Sequence, residues 1–163
     1  QGVDMDIRIG ALSDSALKAR RLAAARRITV AAPSYLAKHG TPEAPEDLDA
    51  HDCMIFTRLQ TGDAWPYLRD SAPVLVPVRG RIRADNSTAV REAVLMGMGI
   101  GLLPYWLVGQ AVLDGRLVRL LEPFDPEPFP LSVITPPRRF VPPRVTAFTA
   151  HLRQFYRDDP CLN

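Results

Sequence analysis

The chain has 163 residues, 47% hydrophobic and 23% charged, with a formal net charge of +2. That bounds it to one domain or two small lobes around a real core. It excludes a disordered tail, and no run approaches the roughly 18–20 apolar residues of a bilayer span. Of the twenty basic residues all but Lys18 and Lys38 are arginine. The pairs Arg20-Arg21 and Arg26-Arg27 are parted by LAAA, and Arg138-Arg139 stands far along the chain beyond many acidic residues, whereas a nucleic-acid surface needs clustered charge. Cys53, Cys161, His39, His51 and His151 are too scattered to converge as tetrahedral ligands, so neither a metal nor a cofactor is expected.

The opening VDMDIRIG alternates, with Val3, Met5, Ile7 and Ile9 on one face, and reads as a half-buried strand closed by Gly10. Gln1–Gly10 carries two Asp and one Arg, unlike a secretory leader, so a cytoplasmic place is expected. A domain seldom begins at a core strand, which makes this chain read as a fragment. Ile28–Ala32 is a strand stopped by Pro33, followed by a short helix that Ser34 caps and Gly40 ends. The Pro-rich, acidic stretch TPEAPEDLDAHD is a loop with one helical turn, and CMIFT at 53–57 a short buried strand.

Residues 74–85 alternate as one further strand, with an edge position or a break required at Pro77, which has no ladder donor. NSTAVREAVLMG is a helix with Asn86 or Ser87 as cap and Val90, Ala93 and Val94 on its apolar face. IGLLP is a buried strand, and Pro104 opens the helix YWLVGQAVLDG. LVRLL and LSVIT are strands. A last helix from 143 to 158 should bury Val145, Phe148, Leu152, Phe155 and Tyr156. The order β, βα, β, β, α, β, α, β, β, α favours an α/β architecture.

GMGIGLLP invites a nucleotide reading, but a dinucleotide loop sets its glycines after a strand and before a helix. Here the order is reversed, so these glycines end a helix and allow close packing. The start of that helix is more informative. In DNST, 85–88, main-chain amides and small polar side chains meet the positive end of the helix dipole, which suits either plain capping or an anion. Enzyme chemistry finds no support. SALK at 15–18 matches S-x-x-K in letters, but it lies in a loop without the further partners that chemistry needs.

VDMDIRIG, RRITVAAPSYLAKHGTPEAPEDLDAHDCMIF, GRIRADNSTAVREAVLMGMGIGLLPYWLV and LSVITPPRRFVPPRVTAFTAHLRQF together resemble the effector-binding domain of LysR-type transcriptional regulators, in order from about residue 2 to 157. The resemblance implies a periplasmic-binding-protein-like (type II) α/β fold of two lobes with a cleft between them. Lobe one would be 1–29 plus 105–163, incomplete because its first elements would precede the chain, and lobe two 30–104. Hinge crossings would fall near 27–31 and 102–104. It implies effector contacts from Arg8, Ile9 and Gly10, from Phe56 and Thr57, from Asn86, Ser87 and Thr88, and from Leu103 and Pro104. The implied partners are a small, organic, anionic effector, DNA through an upstream winged helix-turn-helix outside this chain, and further copies in a homo-oligomer, with no membrane. A solute-binding protein of a transport system would share the fold and is the alternative.

Overall fold

The computed structural model describes residues 4–9, 18–135 and 142–158. In chain order these form β1 (Asp6–Ile9), β2 (Lys18–Ala25), β3 (Arg27–Ala31), α1 (Pro33–His39), β4 (Ile55–Phe56), β5 (Ala64–Arg69), β6 (Ala72–Pro77) and β7 (Arg83–Ala84). They continue with α2 (Ser87–Leu95), β8 (Ile100–Pro104), α3 (Tyr105–Leu113), β9 (Val118–Leu120), β10 (Phe129–Thr135) and α4 (Pro143–Asp158). Short 3-10 turns occupy Pro45–Ala50 and Glu122–Phe124. The backbone divides into two compact units, residues 27–127, and residues 1–26 with 128–163.

In the 27–127 unit β3 lies between β8 and β9 and runs antiparallel to both. Cys53 bridges Ile100 in parallel, with Met54 N–H donating to the Ile100 carbonyl at 2.7 Å and Ile100 N–H to the Asp52 carbonyl at 2.9 Å. β4, which follows directly, pairs in parallel with β7. The strands therefore succeed one another as β7, β4, β8, β3, β9. β3 shows why such strands read as unbroken apolar runs: both its faces are covered. Ile28 and Val30 pack with Val90, Val94, Leu103 and Val108 beneath α2 and α3. Ala31 packs on the other side with Tyr35, Leu48, Trp65, Tyr67 and Val76. Each such large side chain contributes about 1.5–3 kcal/mol by leaving water.

The glycines after α2 close the turn and admit neighbouring chain. Gly97 holds φ +72°, the left-handed geometry of a helix terminus. A Cβ on Gly99 would stand 2.1 Å from the Asp52 carbonyl oxygen. These are packing roles, as the order of elements requires.

Several expectations change. Residues 105–127 belong with 27–104, because β9 pairs Leu120 with Thr29 and α3 packs on β8 and α2. The unit boundaries thus fall at 26/27 and 127/128, while 27–31 and 102–104 lie within paired strands of the sheet. The 74–85 alternation is two strands: β6 ends at Pro77 and pairs with β5, while β7 pairs with β4. Ser34 caps nothing, since Ala32 is the cap residue and Pro33 takes the first helical turn, where a missing N–H is harmless.

In the other unit β10 lies between β1 and β2, antiparallel to each. Lys18 opens β2, so the lysine of SALK starts a strand rather than sitting in a loop; Ser15 lies outside the described residues. β1 is exposed along its length, including Ile7 at 39% and Ile9 at 55%. It is not half-buried, because it is an edge strand while α4 packs against β2 at the opposite edge. α4 has the expected span, but Phe148 and Phe155 stay exposed. Its inner stripe runs through Val145 and Thr149, with Leu152 and Tyr156 half-buried. At 3.6 residues per turn the two phenylalanines sit roughly 70–90° round from the centre of that stripe.

Candidate functional site

Strand direction decides which residues can meet. β4 runs parallel to β7, and the Cys53 bridge makes it parallel to β8 as well. The carboxyl ends of these strands, Phe56–Thr57, Ala84–Asp85 and Leu103–Pro104, therefore lie along one rim of the 27–127 unit. β3 runs the other way, which brings Arg27 opposite Pro104 at the same rim. α2 starts directly after β7, so Asn86, Ser87 and Thr88 join it. In open α/β sheets this carboxyl edge is where ligands bind.

The rim gathers Phe56, Thr57, Asn86, Ser87, Thr88 and Pro104 of the expected residues. Thr57, Asn86 and Thr88 are exposed, and Phe56, Ser87 and Pro104 are half-buried. Leu103 does not reach the surface: it is 0% exposed and packs beneath α2 and α3, so it supports the rim from below. Arg8 and Ile9 lie on β1 in the other unit, both exposed, with Arg8 Nε 3.2 Å from Asp6 Oδ2. Gly10 lies outside the described residues.

Capping has first claim on the amides of α2. Asn86 Oδ1 accepts from Thr88 N–H at 2.8 Å and from Ala89 N–H at 3.4 Å. What the rim offers a ligand is accordingly the dipole of α2 and the hydroxyls of Ser87 and Thr88. The backbone beneath is pinned by Thr57 N–H donating to the Ala84 carbonyl at 2.9 Å.

Two ion pairs lie near the rim. Arg58 meets Asp85 at 3.3 Å, and Arg83 grips both oxygens of Asp63 at 2.7 and 2.8 Å. That bidentate contact holds the Asp63 carboxyl below its ordinary range. Arg27 is a cation at this edge that sequence reasoning passed over as one half of a solvated pair. It is half-buried, and desolvation draws its pKa down. Its signal was an arginine opening an otherwise apolar central strand. Deeper in the unit the Cys53 thiol is 0% exposed, and burial pushes its pKa up to about 12, which makes it inert packing. Among the described residues no three His, Cys, Asp or Glu side chains are grouped to hold a metal, and no helix is long and apolar enough to cross a membrane.

Residues 1–157 match the family described as the LysR substrate binding domain. The chain belongs to that family. It is 36% identical over 160 residues to the HTH-type transcriptional regulator PtxR of Pseudomonas aeruginosa, covering 98% of this chain and 51% of that protein. It is 37% identical over 119 residues to the HTH-type transcriptional regulator CrgA of Neisseria meningitidis, covering 73% of this chain and 40% of that protein. The solved regulatory domain of CrgA superposes with a TM-score of 0.82 at 31% identity, over 94% of this chain and 75% of that one. Full-length AphB, a virulence activator of Vibrio cholerae, gives 0.81 at 27% identity, over 93% of this chain and 51% of that one.

This LysR-family chain thus spans about half the length of the curated relatives it matches. Its fold is that of LysR regulatory domains, the periplasmic-binding-protein-like type II α/β fold. The relatives are transcriptional regulators, not enzymes, which favours regulation over both SALK chemistry and solute transport.

Proposed function

We propose that this chain is the effector-sensing part of a LysR-type transcription regulator, and that a small organic anion docks on the rim of the 27–127 unit. The observation that carries the reading is the arrival of Phe56, Thr57, Ser87, Thr88 and Pro104 at the carboxyl ends of parallel strands, beside the start of α2. The half-buried ring of Phe56 offers an apolar floor, Ser87 and Thr88 offer hydroxyls, and Arg27 with the helix dipole supplies positive potential. An effector that binds one arrangement of the regulator better than another shifts the population by that difference in affinity. In the whole protein, acting in the cytoplasm as a homo-oligomer, the shift passes to DNA-binding segments upstream.

Isothermal titration of the intact regulator against carboxylates, aromatic acids and amino acids tests this. One class should release heat, and Ser87→Ala or Thr88→Ala should weaken its binding by about tenfold or more, the loss of a hydrogen bond to a charged group. Silence across all three classes, or variants that bind like the parent, would overturn the reading.

A further inference from the structure

Two motifs take no part in the rim, SYLAKHG at 34–40 and HDC at 51–53, yet the fold brings them together. Tyr35 on α1 is 2% exposed and its hydroxyl is buried. That hydroxyl accepts the Asp52 N–H at 3.0 Å and lies 3.1 Å from Nδ1 of His51. His39 stacks on the same ring, centroids 4.3 Å apart, with its Nδ1 3.1 Å from the Tyr35 carbonyl oxygen.

Proton counting orients this network. A phenol has one hydrogen, and its oxygen is already accepting from Asp52. That buried hydrogen finds an acceptor when His51 Nδ1 carries a lone pair. His39 Nδ1 faces a carbonyl and must donate. One tyrosine thus holds two histidines in opposite roles.

We propose that the chain from Asp52 N–H through the Tyr35 hydroxyl to His51 Nδ1 is an acid-released latch, which holds the turn before β4 only while His51 is uncharged. A proton on Nδ1 would set N–H against O–H. The tyrosine oxygen could accept from both sides, but its own hydrogen would then be buried without an acceptor. The turn is a joint in the sheet: Asp52 accepts from Ile100 N–H at 2.9 Å, and Cys53 donates to the Arg79 carbonyl at 2.8 Å. Loosening it loosens the strand that leads to Phe56 and Thr57.

Protons have a route in. His51 lies on an open groove of about 450 Å³ between residues 49–52 and 79–81. The charged groups around it oppose one another. His39 on α1 works against a charge on His51, and Asp47 in the 3-10 turn works for one. Asp49 and Asp52 are engaged by Arg79 at 3.8 Å and Arg81 at 2.9 Å. Burial is the largest cause and acts with His39 against Asp47 to hold the His51 imidazole below its ordinary value. A folded-state pKa below the unfolded one means that the unfolded chain takes the proton first. The latch's stabilisation is then complete above the unfolded imidazole pKa of about 6.5, and is lost as pH falls through the folded value.

The test needs no effector, so its failure is separable from failure of the sensing reading. Nitrogen-15 NMR of the whole protein at neutral pH should show His51 as the Nε2–H tautomer with Nδ1 unprotonated. The urea midpoint should fall as pH is lowered from about 7 to about 5, across the ordinary imidazole range. His51→Asn, which keeps an acceptor near Nδ1 but takes no proton, should flatten that fall, while His39→Asn should leave it in place. A His51 ring protonated at Nδ1 at neutral pH, or an undiminished fall in His51→Asn, would overturn the latch. If His51→Asn does not fold, the tautomer in the parent protein decides.

Discussion

β3 and β2 adjoin in the chain and share an arginine- and alanine-bearing composition, yet they live in different surroundings. β3 is buried from Ile28 onward, with residues of both faces in the two cores of the 27–127 unit. β2 leaves Ala19, Arg20 and Arg21 exposed and becomes buried only at Ala25. The same contrast separates particular side chains of the two units, although Leu75, Met96 and Leu113 of the 27–127 unit are exposed and Leu131, Val133 and Ile134 of the other are buried. In the 27–127 unit Trp65, Tyr35, Tyr67 and Leu103 are sealed, whereas in the other Ile7, Ile9, Phe148 and Phe155 face outward. What differs is cover: helices and the β5–β6 ribbon lie on the central sheet, whereas α4 packs against one edge strand of the smaller one. An apolar side chain counts for stability only where something is laid over it.

That contrast can be broken by substitution. The largest effect is expected at Gly99→Ala, whose new Cβ would meet the Asp52 carbonyl oxygen at 2.1 Å. The Met54 Cε at 2.6 Å can swing aside but the Asp52 backbone cannot, so a loss of about 3 kcal/mol or more should show in urea unfolding. A variant as stable as the parent would mean that the joint between residues 52 and 99 is slack. Leu103→Ala should cost about 3 kcal/mol through the cavity it leaves under α2 and α3, while altering effector binding only through stability. Direct loss of affinity at unchanged stability would return Leu103 to the binding surface.

Tyr67→Phe should cost about 1–2 kcal/mol, because the Thr29 hydroxyl 2.9 Å away is 0% exposed and would lose its partner. Asn86→Ala should cost about 1 kcal/mol by freeing the Thr88 and Ala89 amides, with Ser87→Ala well below that. Equal costs would place the cap elsewhere. At the small end, Phe155→Ala in the other unit, 58% exposed, should stay within about 0.5 kcal/mol. A cost comparable to Leu103→Ala would show that α4 is covered in solution and would erase the contrast between the units.

Legibility followed the same line. Elements whose signals are local were readable: α2 with its Asn86 cap, Gly40 and Gly115 as helix ends, Pro77 as a strand stop, and the apolar runs of β3 and β8. β2 was not, because KARRLAAA has no alternation to mark it as a strand until β10 pairs with it. Nor was β5, where AWPYLR carries a proline at Pro66 and gains its meaning from the hairpin with β6. Of the rim, Ser87 and Thr88 followed from the helix start. Arg27 and the inward turn of Leu103 depended on which strand lies beside which.

Taken alone, the order of residues determined the α/β class, the LysR-family resemblance, the helix start at 86–88 and the packing role of the glycines after α2. Tertiary structure alone decided that residues 105–127 join the 27–104 sheet, and that Tyr35 spans from His39 to His51 and Asp52. Capping and periodicity act over one or two turns of chain and leave their mark in neighbouring letters. Strand pairing and buried hydrogen bonds join residues far apart in sequence, and their partners become known only when the chain has closed on itself.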